Sequence, residues 1–473
     1  MNRRTFLKQT GQTAGAVVAS SVLSFRCSQG LKPNIIFILA DDLGYGDLSC
    51  YGQTRFQTPN IDRLAAEGTK FTDHYAGSTV CAPSRASLMT GFHTGHCYVR
   101  GNYETGPFGF GACLELRPED VTVQELLRQQ GYVTGMYGKW GLGVMTTTGQ
   151  PDKQGVDEWF GYLNQAHAHF YYPEYLWKNG ERIELPGNKD GKETQYAHDL
   201  IVDEALDFIE RHKEEPFFLY MPVTIPHAEM KVPQESIEPF LGKWEETPYN
   251  VDGSKHYGTQ LHPKAAFAGM VSRLDRDVGR VLDLLKDLGI DDNTLVIFTS
   301  DNGPHHEGGH DPQFFDSNGP LRGGKRDLYE GGIRVPMIAR WPGHVQAGSI
   351  TDHVSAFWDF LPTACELSGI TVPINMDGIS YVPTLLGHSD RQKQHDYLYW
   401  EFHENPTTDQ AVRMGKWKAV RHYPSGPVEL YNLETDIGEQ ENIADEHPDI
   451  VEHMKRILES ARTPHKIWNL KDK

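Results

Sequence analysis

Cysteine is scarce in this chain. Six occur in 473 residues, at Cys27, Cys50, Cys81, Cys97, Cys113 and Cys365, and none forms a Cys-x-x-Cys pair. That excludes a disulfide-dense scaffold and offers no zinc pattern, while Cys50, Cys97 and Cys113 leave room for one bridge in an exported protein. Positive charge is short as well: 45 Lys and Arg stand against 64 Asp and Glu, a formal net charge of −19. So acidic a chain lacks the basic field that non-specific nucleic-acid binding requires, yet it can still hold a locally basic pocket for an anion. No internal run is long and apolar enough to cross a bilayer, so no transmembrane segment is expected. Repeats and low-complexity tracts are missing too. What remains, at 38% hydrophobic and 23% charged, is the composition of an enzyme-sized globular protein with room for two domains.

The N-terminus reads as a targeting segment. Asn2-Arg-Arg-Thr-Phe-Leu-Lys8 resembles a twin-arginine export signal, and a small-residue, weakly apolar run from Ala14 to Leu23 follows it. Residues 1–30 are therefore assigned to export, with a periplasmic or extracellular destination. Cys27 would be the lipid acceptor after cleavage, but Arg26 before it is wrong for that processing.

From residue 31 onward, apolar runs of strand length alternate with amphipathic stretches. Asn34–Leu39, Tyr132–Tyr137, Phe217–Met221 and Thr294–Phe298 read as strands buried on both faces. Helices are expected after Thr58-Pro59, from Asp120 to Gln130, from Ala197 to His212 and from Pro263 to Leu288, with Thr58 as an N-cap. The alternation predicts an α/β fold: a mostly parallel central sheet flanked by helices, over residues 31–369. Past Gly369 the pattern changes. Residues 370–473 read as a smaller subdomain of antiparallel strands, with Pro424–Pro427 as a turn and a closing helix from Ile450 to Ala461.

Polar residues gather where the apolar strands end, which is where open α/β sheets place ligands. Asp41-Asp42 and Asp301-Asn302 follow two such strands and would make an all-oxygen site, suited to Ca²⁺ with Mg²⁺ as the alternative. Lys139, Lys325, Arg85 and His227 add cations for a tetrahedral oxyanion. Cys81 lies in Cys-Ala-Pro-Ser-Arg85, a stiff turn that opens a helix. On local chemistry alone it is either an inert core thiol or a nucleophile facing free backbone N–H groups.

Together these motifs resemble the type I, formylglycine-dependent sulfatases of the alkaline phosphatase superfamily, a group that includes arylsulfatases and N-acetylgalactosamine sulfatases. The resemblance rests on Cys81–Arg85, on Gly131–Trp140, on Ser300–Gly303, on Tyr329–Gly332 and on the Glu429–Leu433 tail. It implies that a formylglycine-generating or anaerobic maturation enzyme converts Cys81 to formylglycine. One hydroxyl of the hydrate would attack sulfur to give a sulfo-enzyme, and the second would eliminate sulfate. It also implies that His227 protonates the leaving alcohol with help from Lys325, that Lys139 holds the sulfate and that Arg85 orients the modified residue. One departure stands out: the family commonly has His two residues after the lysine, and here that position is Gly141. His93, His305 and His306 are candidate replacements.

For the substrate, the aromatic-rich loop holding His167 and His169, together with Arg322 and the neighbouring Phe314 and Phe315, suits a sugar ring. By analogy the substrate would be a sulfated saccharide of the galactose or N-acetylgalactosamine type. The alternatives are a phosphonate monoester or phosphodiester hydrolase, and a sulfated-glycan-binding protein without turnover.

Overall fold

The computed structural model describes residues 32–102, 114–373 and 375–473. The export signal, Cys27 and Cys113 lie outside the described residues. Ten strands form the main sheet, in the spatial order Ser349–Thr351, Thr69–Phe71, Met337–Arg340, Thr294–Ser300, Asn34–Ala40, Phe217–Pro222, Val133–Lys139, Glu158–Tyr162, Tyr175–Lys178 and Glu181–Glu184. The five from Thr294–Ser300 to Glu158–Tyr162 are parallel, and antiparallel pairings extend the sheet on both sides. This is the expected architecture.

The central strand shows why an unbroken apolar run belongs here. Ile36, Ile38 and Ala40 enter one core, while Ile35, Phe37 and Leu39 enter the other. With side chains alternating faces, both faces must be covered. Helices Pro59–Ala66, Ala197–Arg211 and Pro263–Asp287 cover the first, and Cys81–Thr90, Val123–Gln129 and Phe360–Ser368 the second. Each fully buried Leu, Ile or Phe contributes roughly 1.5–3 kcal/mol.

Helix ends differ from expectation in instructive ways. Thr58 makes no cap bond of its own. Asp275 of the long helix supplies it instead, its Oδ1 accepting from the backbone of Asn60 (2.9 Å) and Ile61 (2.8 Å). The helix expected from Asp120 starts at Val123, because Thr122 and Glu125 form a capping box that fixes its start. Cys50 and Cys97 are free thiols, so no disulfide joins them. Among the described residues no helix is long and apolar enough to cross a membrane.

The C-terminal region carries its own antiparallel sheet, Leu398–Phe402, Asp409–Met414, Trp417–Arg421 and Glu429–Asn432 in that order. Trp400 and Phe402 pack against Tyr75, Val80 and Trp358, while Tyr399, Val412 and Leu430 lie under the helix Pro448–Ser460. A buried charge network ties this sheet to the main one. Asp73 pairs with Arg334 (2.9 Å) and Arg413 (2.8 Å), and Glu330 with Arg334 (3.2 Å) and Lys418 (2.9 Å). Lys418 also meets Glu439 at 3.3 Å.

Candidate active site

The parallel strands deliver their carboxyl ends side by side. Asp41-Asp42 leaves Asn34–Ala40, Asp301-Asn302 leaves Thr294–Ser300, Lys139 ends Val133–Lys139, and His227 follows Phe217–Pro222. Cys81 is the first residue of its helix, with Gly91 closing the far end in the left-handed conformation. All ten residues of that helix are buried, including Arg85.

These groups interlock. Lys139 Nζ donates to Asp41 Oδ2 at 2.7 Å, and Lys325 Nζ donates to Asp42 Oδ2 at 2.7 Å. Arg85 reaches Asp301 Oδ2 through Nη2 (2.7 Å) and Nε (3.1 Å), and its Nη1 donates to the Lys139 carbonyl at 2.6 Å. His227 donates from Nδ1 to the Ala228 carbonyl, which turns Nε2 towards Lys325 Nζ at 2.9 Å and Asp42 Oδ2 at 3.3 Å. The Cys81 Sγ lies 3.3 Å from Asp41 Oδ1. Asp42 adopts a φ of 62°, a conformation Asp tolerates better than most residues, and its N–H is held by Asp301 Oδ1 at 3.1 Å. Gly303 lets the Asp301-Asn302 turn dock: a Cβ there would lie 1.8 Å from the Gly331 carbonyl oxygen.

The electrostatics describe a balanced cluster. Three carboxylates (Asp41, Asp42, Asp301) face three fixed cations (Arg85, Lys139, Lys325), so the formal sum is zero. Burial pushes Asp41 up, but Lys139, His227 and Arg85 outweigh it and hold the group well below the usual carboxylate range. Burial and then Asp41 push Asp301 up. Burial and Asp41 likewise raise the Cys81 thiol, which makes it a poor thiolate. Burial and then Lys325 press the His227 imidazole down.

The donor set fits a hard divalent cation. The donors are carboxylates plus one amide, and Asn302 Oδ1 is buried with no hydrogen-bond partner while its Nδ2 donates to Asp42 Oδ1 at 2.7 Å. A dication would relieve the crowding of Asp41 and Asp301 and leave the pocket at a formal +2, ready for an anion.

The substrate-binding expectations divide. His169 joins the site, its ring stacked on His227 with centroids 4.5 Å apart and planes at 15°. His167 turns away to Tyr175 (4.4 Å) and Tyr162 (5.0 Å). Arg322 stacks on Tyr329 and donates to Tyr431 Oη (3.1 Å) and the Glu439 carbonyl (2.7 Å), so its hydrogen bonds go to the C-terminal region. Phe314 and Phe315 pack with Trp244. Of the histidines weighed against Gly141, His305 stacks 5.5 Å from His227, His93 lies with His96 and Asp377, and His306 is exposed.

Gly141 has a φ of 74°, and a Cβ there would lie 2.2 Å from Gln165 Nε2. A side chain at 141 is therefore replaced in space by the Gln165 amide, whose Nε2 and Oε1 are both buried without a partner. Sequence reasoning missed Gln165, and it missed Glu307, whose Oε2 is 4.0 Å from His227 Nε2. The position of Glu307 just beyond the Asp301-Asn302 turn was the available signal.

Comparison with known proteins settles the family. The sulfatase model matches residues 33–370, and the model for the C-terminal part of N-sulphoglucosamine sulphohydrolase matches residues 323–464. The chain belongs to the sulfatase family. It is a sulfuric ester hydrolase. Human N-acetylgalactosamine-6-sulfatase is 36% identical over 375 residues, spanning 75% of this chain and 66% of that protein. The N-acetylgalactosamine-6-O-sulfatase of Bacteroides thetaiotaomicron is 30% identical over 514 residues, spanning 91% and 93%. Among solved structures, Ps i-CgsB in complex with k-i-k-neocarrahexaose superposes with a TM-score of 0.76 at 32% identity, covering 91% of this chain and 92% of that one. A phosphonate monoester hydrolase of Agrobacterium radiobacter, at 22% identity and a TM-score of 0.63, shares the fold.

Proposed function

We propose that this sulfatase cleaves the S–O bond of a carbohydrate sulfate ester of the galactose or N-acetylgalactosamine type. Its working group is formylglycine derived from Cys81, and Asp41, Asp42, Asp301 and Asn302 hold Ca²⁺, with Mg²⁺ as the alternative. The observation that carries this reading is the interlocked set of three acids and three cations around Cys81, with one buried amide oxygen left over. When present, the hydrated aldehyde supplies a nucleophilic hydroxyl and a second one for product release, and the dication supplies the positive charge that favours the ionised form.

The chain's own residues do the rest. Lys139, buried and held by Asp41, places a fixed cation against a sulfate oxygen. Arg85 clamps Asp301 and the Lys139 carbonyl and so keeps residue 81 in register with both. Lys325 stands between Asp42 and His227, where it neutralises charge developing on the bridging oxygen. His227 is oriented by its Nδ1 bond so that Nε2 faces Lys325 Nζ at 2.9 Å, and the pair together hands a proton to the leaving alcohol.

The sugar assignment draws support from the relatives named N-acetylgalactosamine-6-sulfatase and N-acetylgalactosamine-6-O-sulfatase and from the k-i-k-neocarrahexaose complex. The paired arginines near the N-terminus support export, and a division at residue 369 into catalytic and C-terminal parts follows the separate second sheet. The test is sulfate release from a panel of sulfated mono- and disaccharides beside phosphate and phosphonate esters, with the Cys81 peptide weighed in the same preparation. Preferential turnover of phosphorus esters, or binding without release from converted protein, would sink the proposal.

A further inference from the structure

Most groups of the cluster are sealed: Asp41, Asp42, Arg85, Lys139, His227, Asp301 and Lys325 are all buried. Charge reaches solvent next to it in a second group. Glu307 binds Arg326 through Oε1 at 2.7 Å and accepts from Tyr257 Oη at 2.8 Å through Oε2. The Glu307 side chain is 23% exposed and that of Arg326 46% exposed. Arg326 has a φ of 76°, and its N–H is fixed to the Thr79 carbonyl at 3.2 Å, so the turn after Lys325 aims the guanidinium outward. Glu404 is exposed, and its charge also acts on Arg326. Its Oε1 accepts from the Asn102 N–H at 2.6 Å, and Asn102 Oδ1 accepts from the Ala82 N–H at 3.0 Å, which ties Glu404 to the residue after Cys81.

We infer that Glu307, Arg326 and Glu404 form the subsite for the ring that leaves, and that they select a neutral hexose or hexosamine over a uronic acid. The inference rests on the sulfated-sugar reading above. In that reading the leaving oxygen lies at His227 Nε2, and Glu307 is 4.0 Å from that atom, within reach of a neighbouring ring hydroxyl. Carboxylates accept from hydroxyls and the guanidinium donates to them, so the group can read adjacent polar atoms on one ring. Two carboxylates against one guanidinium leave a formal −1 at the mouth. A ring carboxylate placed among these three groups would be repelled by their net charge, whereas a hydroxyl would not. Tyr257, 5.7 Å from the His169 ring, supplies an apolar wall on the same side.

Calorimetric titration measures this without turnover. Protein with Cys81 unconverted would be titrated with galactose and galacturonate sulfated at the same ring carbon, for the wild type, Glu307→Gln and Glu404→Gln, each checked for native melting. The wild type should bind the galactose sulfate at least tenfold more tightly. Each substitution should narrow that ratio by about 10-fold, as expected for removing one like charge near the ligand. Glu404, being exposed, keeps the test decisive if Glu307→Gln fails to fold. Equal wild-type affinity for the two sugars, or a ratio that neither substitution moves, overturns the inference alone. A wild type that binds neither sulfate overturns the sulfated-sugar reading and this inference with it.

Discussion

Two buried clusters in this protein contain the same charges. At the strand ends, Asp41, Asp42 and Asp301 meet Arg85, Lys139 and Lys325; between the sheets, Asp73, Glu330 and Glu439 meet Arg334, Arg413 and Lys418. Three acids balance three bases in each. The difference lies in what is left over. The inter-sheet cluster is closed: the Tyr75 hydroxyl donates to Glu330 Oε2 at 2.6 Å, the Glu330 N–H donates to Glu439 Oε2 at 2.7 Å, and none of its six charged side chains has a buried unpartnered atom. The strand-end cluster keeps an orphan carbonyl oxygen on Asn302 and borders Cys81. Equal charge arithmetic therefore serves two ends. A closed network fixes one arrangement of two sheets, and an open one waits for ligands.

Breaking the open cluster should cost activity first. Cys81→Ala should abolish sulfate release, and Lys139→Ala should lower kcat by about 10²–10³-fold, with melting temperatures close to wild type for the cysteine variant. Breaking the closed cluster should do the reverse. Glu330→Gln leaves Lys418 and Arg334 short of a buried partner and should cost about 3–5 kcal/mol in denaturant unfolding, while kcat per folded molecule holds. The two can be sharpened with Ca²⁺. Binding to the native state alone adds about 2.7 kcal/mol at 100 times Kd, so Ca²⁺ should raise the melting temperature of the wild type and Glu330→Gln, and not of Asp301→Ala.

The smallest effect concerns pH at the C-terminal sheet. Hydrogen bonds to Asp409 and Glu429 raise His422 from 6.5 to about 10. A group whose folded value is raised contributes stability fully present below the unfolded value and lost as pH rises through the folded one. Stability should therefore decline between pH 6.5 and about 10, and His422→Gln should flatten that slope in melts across the range. His422 is half exposed, so the effect is modest.

How much of this was legible in the sequence depends on what each residue answers to. The central strands and the groups at their carboxyl ends were readable because burial on both faces imposes an unbroken apolar run, and the chemistry sits at the break. Outer strands such as Glu181–Glu184, three of whose four residues are exposed, carry no such signature. Pairings made across the fold were hidden as well: Asp275 capping a helix more than 200 residues earlier, and Gln165 filling the space beside Gly141. The place of Arg322 near the metal motif in sequence says nothing of the direction its side chain takes. Lys325, three residues on, faces the cluster, and Arg322 faces Tyr431 and Glu439.

The most direct measurement pairs chemistry with composition at one position. Preparations with different fractions of Cys81 converted would be weighed by peptide mass and assayed for sulfate release from a sulfated galactose or N-acetylgalactosamine. The account predicts release in proportion to the converted fraction, extrapolating to zero for unconverted cysteine. Release that persists at full strength from protein carrying only the thiol would contradict it.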